Sequence, residues 1–131
     1  KEHARSDGKL CNLHSKKGGR AIRGGIDHEA ATLKTLEQVA KGIAATFGSH
    51  CEVVIHDVGA KHPEHSIVAM ENGHVTGRKV GDGASHVVLE QVRQADAQPS
   101  DHLSYLTKTP DGKILKSSTM YIRGRSGKVV A

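Results

Sequence analysis

Apolar residues recur at intervals of three and four along Leu33, Leu36, Val39, Ala40, Ile43, Ala44 and Phe47. That spacing lines one face of an α-helix. Asp27 offers a carboxylate for the first free N–H groups, and Gly48 is a natural stop, so a helix from about Asp27 or His28 to Phe47 is predicted. Over Cys51–Val58 the pattern changes to the β-branched run Val53-Val54-Ile55, which reads as a buried strand. Ser66–Glu71 reads as a second strand. Asn72-Gly73 then supplies a turn pair tolerant of positive φ, with His74-Val75-Thr76 as a brief return. Ser85 can cap a second helix over His86–Ala95, with Val88, Leu89 and Val92 inward. Two further strands, Leu103–Thr109 and Lys113–Arg123, flank the turn residues Pro110-Asp111-Gly112. After a turn at Gly124–Gly127, Lys128–Val130 begins a last strand. The connections are short apart from the helical one. Together these predict an α+β fold, an antiparallel sheet with helices on one face.

Composition refines this picture. A chain of 131 residues fits one domain with a core of its own. Aromatics are limited to Phe47, Tyr105 and Tyr121, so the core is expected to be aliphatic. Residues 1–29 carry seven Lys/Arg against four Asp/Glu, and residues 30–131 carry twelve against ten. The basic excess thus favours the first segment, where Lys16-Lys17-Gly18-Gly19-Arg20 and Arg23-Gly24-Gly25 disfavour a packed element. We read residues 1–29 as a basic, glycine-rich tail, with a short strand at Lys9–Leu13, and residues 30–131 as the folded domain. The tail's charge solubilises the chain and carries only non-specific attraction for polyanions. Two cysteines, Cys11 and Cys51, form no disulfide framework and fit a reducing compartment, hence a cytoplasmic location. No run of about 18 apolar residues marks a membrane span, and no apolar stretch marks an N-terminal signal.

Several ordered motifs resemble one known family. Phe47-Gly48 followed by Cys51-Glu52-Val53-Val54-Ile55-His56-Asp57 is similar to the first strand of the YheO-like PAS domains. Pro63-Glu64-His65-Ser66-Ile67-Val68-Ala69 is similar to their second strand, and Asn72-Gly73-His74-Val75-Thr76-Gly77-Arg78-Lys79-Val80-Gly81-Asp82 to their central motif. Asp111-Gly112-Lys113, Lys116-Ser117-Ser118-Thr119 and Ile122-Arg123 resemble their late hairpin. The likeness covers roughly residues 30–130. It implies a PAS-like five-stranded antiparallel sheet, in the order 2-1-5-4-3, serving as the sensor domain of a bacterial transcription regulator. Such domains precede a helix-turn-helix region. None follows Ala131 here, so DNA contact is expected only through a C-terminal region outside this chain. Residues 1–29 do not share the likeness, and the last strand lacks the apolar continuation the family shows after its Gly-Lys turn.

The polar constellations give the expected site. His56, Asn72, His74, Thr76, Arg78, Ser117 and Thr119 are the candidate contacts for a small-molecule ligand of unknown identity. Arg78 offers a bidentate guanidinium, and Gly77 and Gly81 permit close backbone approach, without the Gly-Lys-Ser/Thr of a P-loop. No cofactor can be named, and the low aromatic count argues against a flavin or haem pocket. A metal-responsive sensor is the alternative if His56, His65 and His74 converge, although their spacing fits no compact metal motif. Asp57 is expected to hold N–H groups of the Val58–Lys61 turn. Ser118 lacks a nucleophile elbow, so no catalytic residue is assigned and no enzyme is expected. The Leu33, Leu36, Val39, Ala40, Ile43 stripe of the first helix is read first as core. Homodimerisation through such a flanking helix is also expected, and a purely structural dimerisation module is a further alternative.

Overall fold

In the computed structural model, residues 20–59, 63–84 and 99–131 are described, with helix side chains from 28 onward. The expected helix over His86–Ala95 and the strand at Lys9–Leu13 lie outside the described residues. Helix α1 runs Arg20–Phe47, so it begins before the expected start and Asp27 is a residue of the helix, not its cap. The glycines of Arg23-Gly24-Gly25 lower helix propensity without preventing it, since one helix can absorb them at about 1 kcal/mol each. The stop is as predicted. Gly48 takes φ 87°, and its N–H donates to the Ala44 carbonyl at 2.9 Å, a left-handed C-cap. On the inward face Ala40 and Ala44 are buried, while Leu33, Leu36 and Ile43 are half-buried. Small side chains at the two buried positions let the helix axis approach the strands, and α1 packs on both β1 and β2. Val39 and Phe47 are exposed, so the expected stripe is core only in part.

Strands β1 (Val53–His56) and β2 (Ile67–Glu71) pair antiparallel, with Val54 opposite Met70 and a bulge between Ile55 and His56. Ile67, only 1% exposed, is the most buried large side chain among the described residues. Beyond the bulge the pairing continues through Asp57 N–H to the Ser66 carbonyl at 2.8 Å. Asp57 also plays its predicted part, its carboxylate accepting the Gly59 N–H at 2.9 Å. The expected return strand at His74-Val75-Thr76 is instead a 3-10 turn over Gly73–Val75. The cause is a carboxylate that captures Thr76, described below. On the far side of β2, Ile67 N–H donates to the Asp82 carbonyl and Gly81 N–H to the Ile67 carbonyl.

Strands β3 (His102–Lys108) and β4 (Ile114–Thr119) form a second antiparallel pair around the predicted Pro110-Asp111-Gly112 turn. Side chains alternate as expected: Ser117 and Thr119 are half-buried on one face, and Ser118 is exposed on the other. The five-stranded sheet is not what the described residues form. They hold two two-stranded sheets, and the expected last strand is reduced to one bridge, Arg123 with Val129. Among the described residues one backbone bond reaches β1 from here, Val58 N–H to the Val130 carbonyl at 3.1 Å, while three join the end segment to Ile122: Val130 N–H and Ala131 N–H to the Ile122 carbonyl at 2.7 and 3.3 Å, and Ile122 N–H to the Ala131 carbonyl at 2.9 Å. Val130 and Tyr121 are buried at this junction. The α+β class holds, and the core of the described residues is aliphatic apart from Tyr121.

Candidate functional site

The loop after β2 folds back over the start of β1. Asn72 sits in the left-handed region at φ 54°, and its side-chain amide donates to the Gly48 and Cys51 carbonyls at 3.1 and 2.8 Å. It thereby ties the end of β2 to the helix stop and the entry of β1. The next residue must be glycine: a Cβ at Gly73 would lie 2.5 Å from the Arg78 carbonyl oxygen and 2.6 Å from Met70 Sδ. By strand alternation Glu52, Val54 and His56 share a face of β1, and Met70 opposite Val54 lies on it too.

At the centre stands Glu52, whose side chain is 7% exposed. Its carboxylate accepts the Thr76 N–H at 3.0 Å, the Thr76 hydroxyl (2.7 Å to the nearer oxygen) and Arg78 Nη2 at 2.8 Å. Arg78 Nε donates in turn to Thr76 Oγ1 at 3.0 Å. A buried carboxylate is tolerable only when paired and hydrogen-bonded in this way. Two expected ligand contacts, Thr76 and Arg78, are therefore engaged inside the protein, as is Asn72. Glu52 itself was not among the expected site residues. The signal for it was available: a carboxylate in phase with the inward positions of β1, with an Arg brought back by an Asn-Gly turn.

His56 lies on the same face. Its Nδ1 is 3.0 Å from Ser66 Oγ, a buried hydroxyl. Burial, and next the nearby Arg78 charge, hold its pKa below the ordinary imidazole value. His65 goes elsewhere, its Nδ1 meeting the Gly81 carbonyl at 2.7 Å, and His74 is exposed on the 3-10 turn. The three histidines do not converge, and among the described residues no three His, Cys, Asp or Glu side chains gather as a metal site. The His56–Ser66 pair has the elements of a base and a nucleophile, with Ser66 buried and, among the described residues, no carboxylate bonded to the imidazole.

Ser117 and Thr119 belong to a second group, on the half-buried face of the β3–β4 hairpin. Thr107 Oγ1 and Ser117 Oγ are 2.9 Å apart, and Tyr105 Oη and Thr119 Oγ1 are 2.7 Å apart. The His102 ring stacks on Tyr105 at 4.2 Å between centroids. Ser118, on the opposite face, accepts the Ser104 N–H at 3.0 Å. No hydrogen bond joins this group to the Glu52 group among the described residues. The expected site is thus two polar clusters, one ionic and one neutral.

A helix packed on an antiparallel strand pair, a second strand pair, and polar groups on half-buried strand faces define a small α+β domain of PAS type. The family model for the YheO-like PAS domain matches residues 27–131, and the chain belongs to that family. The curated relatives include an uncharacterized protein of Haemophilus influenzae, 30% identical over 79% of this chain and 46% of its own length. The uncharacterized protein YheO of Escherichia coli is 34% identical over 75% of this chain and 40% of its own length, and that of Shigella flexneri is equally similar. The chain therefore spans less than half the length of these relatives. No solved structure matches. Among the described residues, no helix is long and apolar enough to cross a membrane.

Proposed function

We propose that this domain is a non-enzymatic, ligand-responsive module of a cytoplasmic bacterial transcription regulator, working as a homodimer and contacting DNA only through another region of the parent protein. The observation that carries the reading is the half-buried face of the β3–β4 hairpin. Beside Leu115 it bears Tyr105, Thr107, Ser117 and Thr119, a largely polar set where a module built only to hold shape would place aliphatic side chains. The Glu52 cluster supplies a second polar wall with a guanidinium. A ligand seated between them would bias the packing of α1 on β1 and β2, and that bias is what a dimer could transmit. In this reading Ser117, Thr119, His56 and Arg78 face the ligand, Asn72 and Thr76 hold the loop that presents Arg78, and His74 makes an outer contact. The sheet order 2-1-5-4-3 belongs to the same proposal, supported by the bonds that Val130 makes toward Val58 and Ile122.

Native mass spectrometry of the untagged protein tests it. A retained small molecule, displaced when Ser117 and Thr119 are both changed to Val, is the expected result. Bare protein from every preparation would refute it. A purely structural dimerisation module is the second reading, favoured by the exposed Val39 and Phe47 on α1. It expects dimers by sedimentation that dissociate on Phe47→Ser, with no ligand retained.

A further inference from the structure

A guanidinium carries five N–H donors arranged as two forks: a side edge, Nε with one N–H of Nη2, and an end edge, the other N–H of Nη2 with Nη1. In Arg78 the side edge is spent internally, on Thr76 Oγ1 and Glu52 Oε1. The end edge has no hydrogen-bond partner among the described residues. The side chain is 35% exposed, so this edge is open to a molecule from outside, whereas Glu52 at 7% is closed. The internal bonds also remove Arg78's freedom, so the edge is presented without the ordering cost a surface arginine would meet on binding.

A second donor stands close by. His56 Nδ1 is taken up with Ser66 Oγ. With Ser66 donating its hydroxyl proton there, the ring proton resides on Nε2, which has no partner among the described residues. The Arg78 charge is felt at the His56 ring, and the carboxylate that binds Arg78 sits on Glu52, next to the start of β1, on which His56 also lies. We propose that the end edge of Arg78, with His56 Nε2 beside it, is the subsite for the carboxylate of a small organic ligand. The inference rests on the ligand-responsive reading above and deepens it by naming the ligand's chemical class.

Charge selects the class. Arg78 is balanced by Glu52, and the imidazole is neutral, so the subsite has no surplus positive charge for a dianionic phosphate. Glu52's oxygens point to the other edge of the guanidinium, so an arriving anion meets N–H groups rather than lone pairs. Two parallel N–H donors match the two oxygens of a planar carboxylate. Further along the loop the Asp82 carboxylate accepts the Lys79 backbone N–H at 3.0 Å, which fixes the turn after Arg78. A monocarboxylate probe without the rest of the ligand should bind weakly, with a Kd on the order of millimolar.

The experiment titrates acetate into the whole chain at constant ionic strength, with the His56 ring and the Arg78 Nε–H followed by NMR. The expected result is a saturable shift of both resonances and a rise in the His56 pKa as the anion approaches. Methylphosphonate dianion should move neither. Arg78→Lys keeps a cation for Glu52 but has no fork, and it should weaken acetate binding roughly tenfold. His56→Phe, which leaves the Glu52–Arg78 pair intact, should weaken it severalfold with the Arg78 resonance as readout, and it decides the matter if the lysine variant does not fold. Unchanged binding in the folded variants, or no saturable shift in the unmodified chain, overturns the proposal. If acetate leaves His56 unmoved while the purified protein retains another small molecule, the subsite is wrong and the sensing reading stands. If neither binds, both fall.

Discussion

The two polar clusters differ in how they are held. Around Glu52 a buried charge draws in residues 24 and 26 positions away, Thr76 and Arg78. On the hairpin, neutral hydroxyls meet across a ladder at separations of 10 and 14 residues, and the backbone would hold the register without them. Removing one partner from the first cluster leaves a carboxylate without its cation. Removing one from the second leaves a hydroxyl that water or a ligand can satisfy. The first cluster is held by charge and the second by exchangeable neutral bonds.

The comparison can be broken most directly at Arg78. Arg78→Leu should destabilise the domain by about 3 kcal/mol in urea denaturation, the low end for breaking a buried pair because Arg78 is partly open to water. Adding Glu52→Gln should recover part of the loss. If the single variant is as stable as the parent, the ionic cluster is not the fixed element. Gly73→Ala comes next, at about 2 kcal/mol, because the new methyl meets the Arg78 carbonyl and Met70 and the loop must shift. A loss no greater than that of an exposed helical glycine would show that the loop yields freely. On the hairpin, Thr107→Val should cost about 1 kcal/mol or less, and Thr107→Val with Ser117→Val nearly nothing, since both partners then become apolar. A strongly non-additive loss in this pair would make the two clusters alike.

His56 sharpens the comparison through pH. Its folded pKa lies below the ordinary value of 6.5. Below 6.5 the unfolded chain therefore binds a proton that the folded one resists. Stability from this group is complete above 6.5 and declines as pH falls through the folded pKa. Denaturation midpoints measured across that range should fall more steeply for the parent than for His56→Phe. Parallel curves for the two proteins would count against a neutral, buried His56.

Local features were legible in the sequence and crossings between distant segments were not. The α1 stripe, the Gly48 stop, the β1–β2 pair, the Asn72 turn and the Ser117/Thr119 alternation all follow from period and turn chemistry. The true start of α1 did not, because Gly24-Gly25 reads as a break when no neighbour is known. The five-stranded sheet depended on how Lys128–Val130 pairs with segments far away in the chain. Among the described residues one backbone bond reaches β1 from there. Arg78 was legible as a functional residue, but its first partner was not. Nothing in the spacing of Glu52 and Arg78 announces an ion pair until the loop between them is folded.

Val130 is a joint of unusual leverage. Its carbonyl holds Val58 just past β1, and its N–H holds Ile122 just past β4. Ala131 is itself bonded to Ile122, its carbonyl at 2.9 Å and its N–H at 3.3 Å, so tension applied there would load the Ile122 pairing first and reach β1, among the described residues, only through Val130. Val130 is thus the residue through which a pull on the segment after β4 is felt at β1.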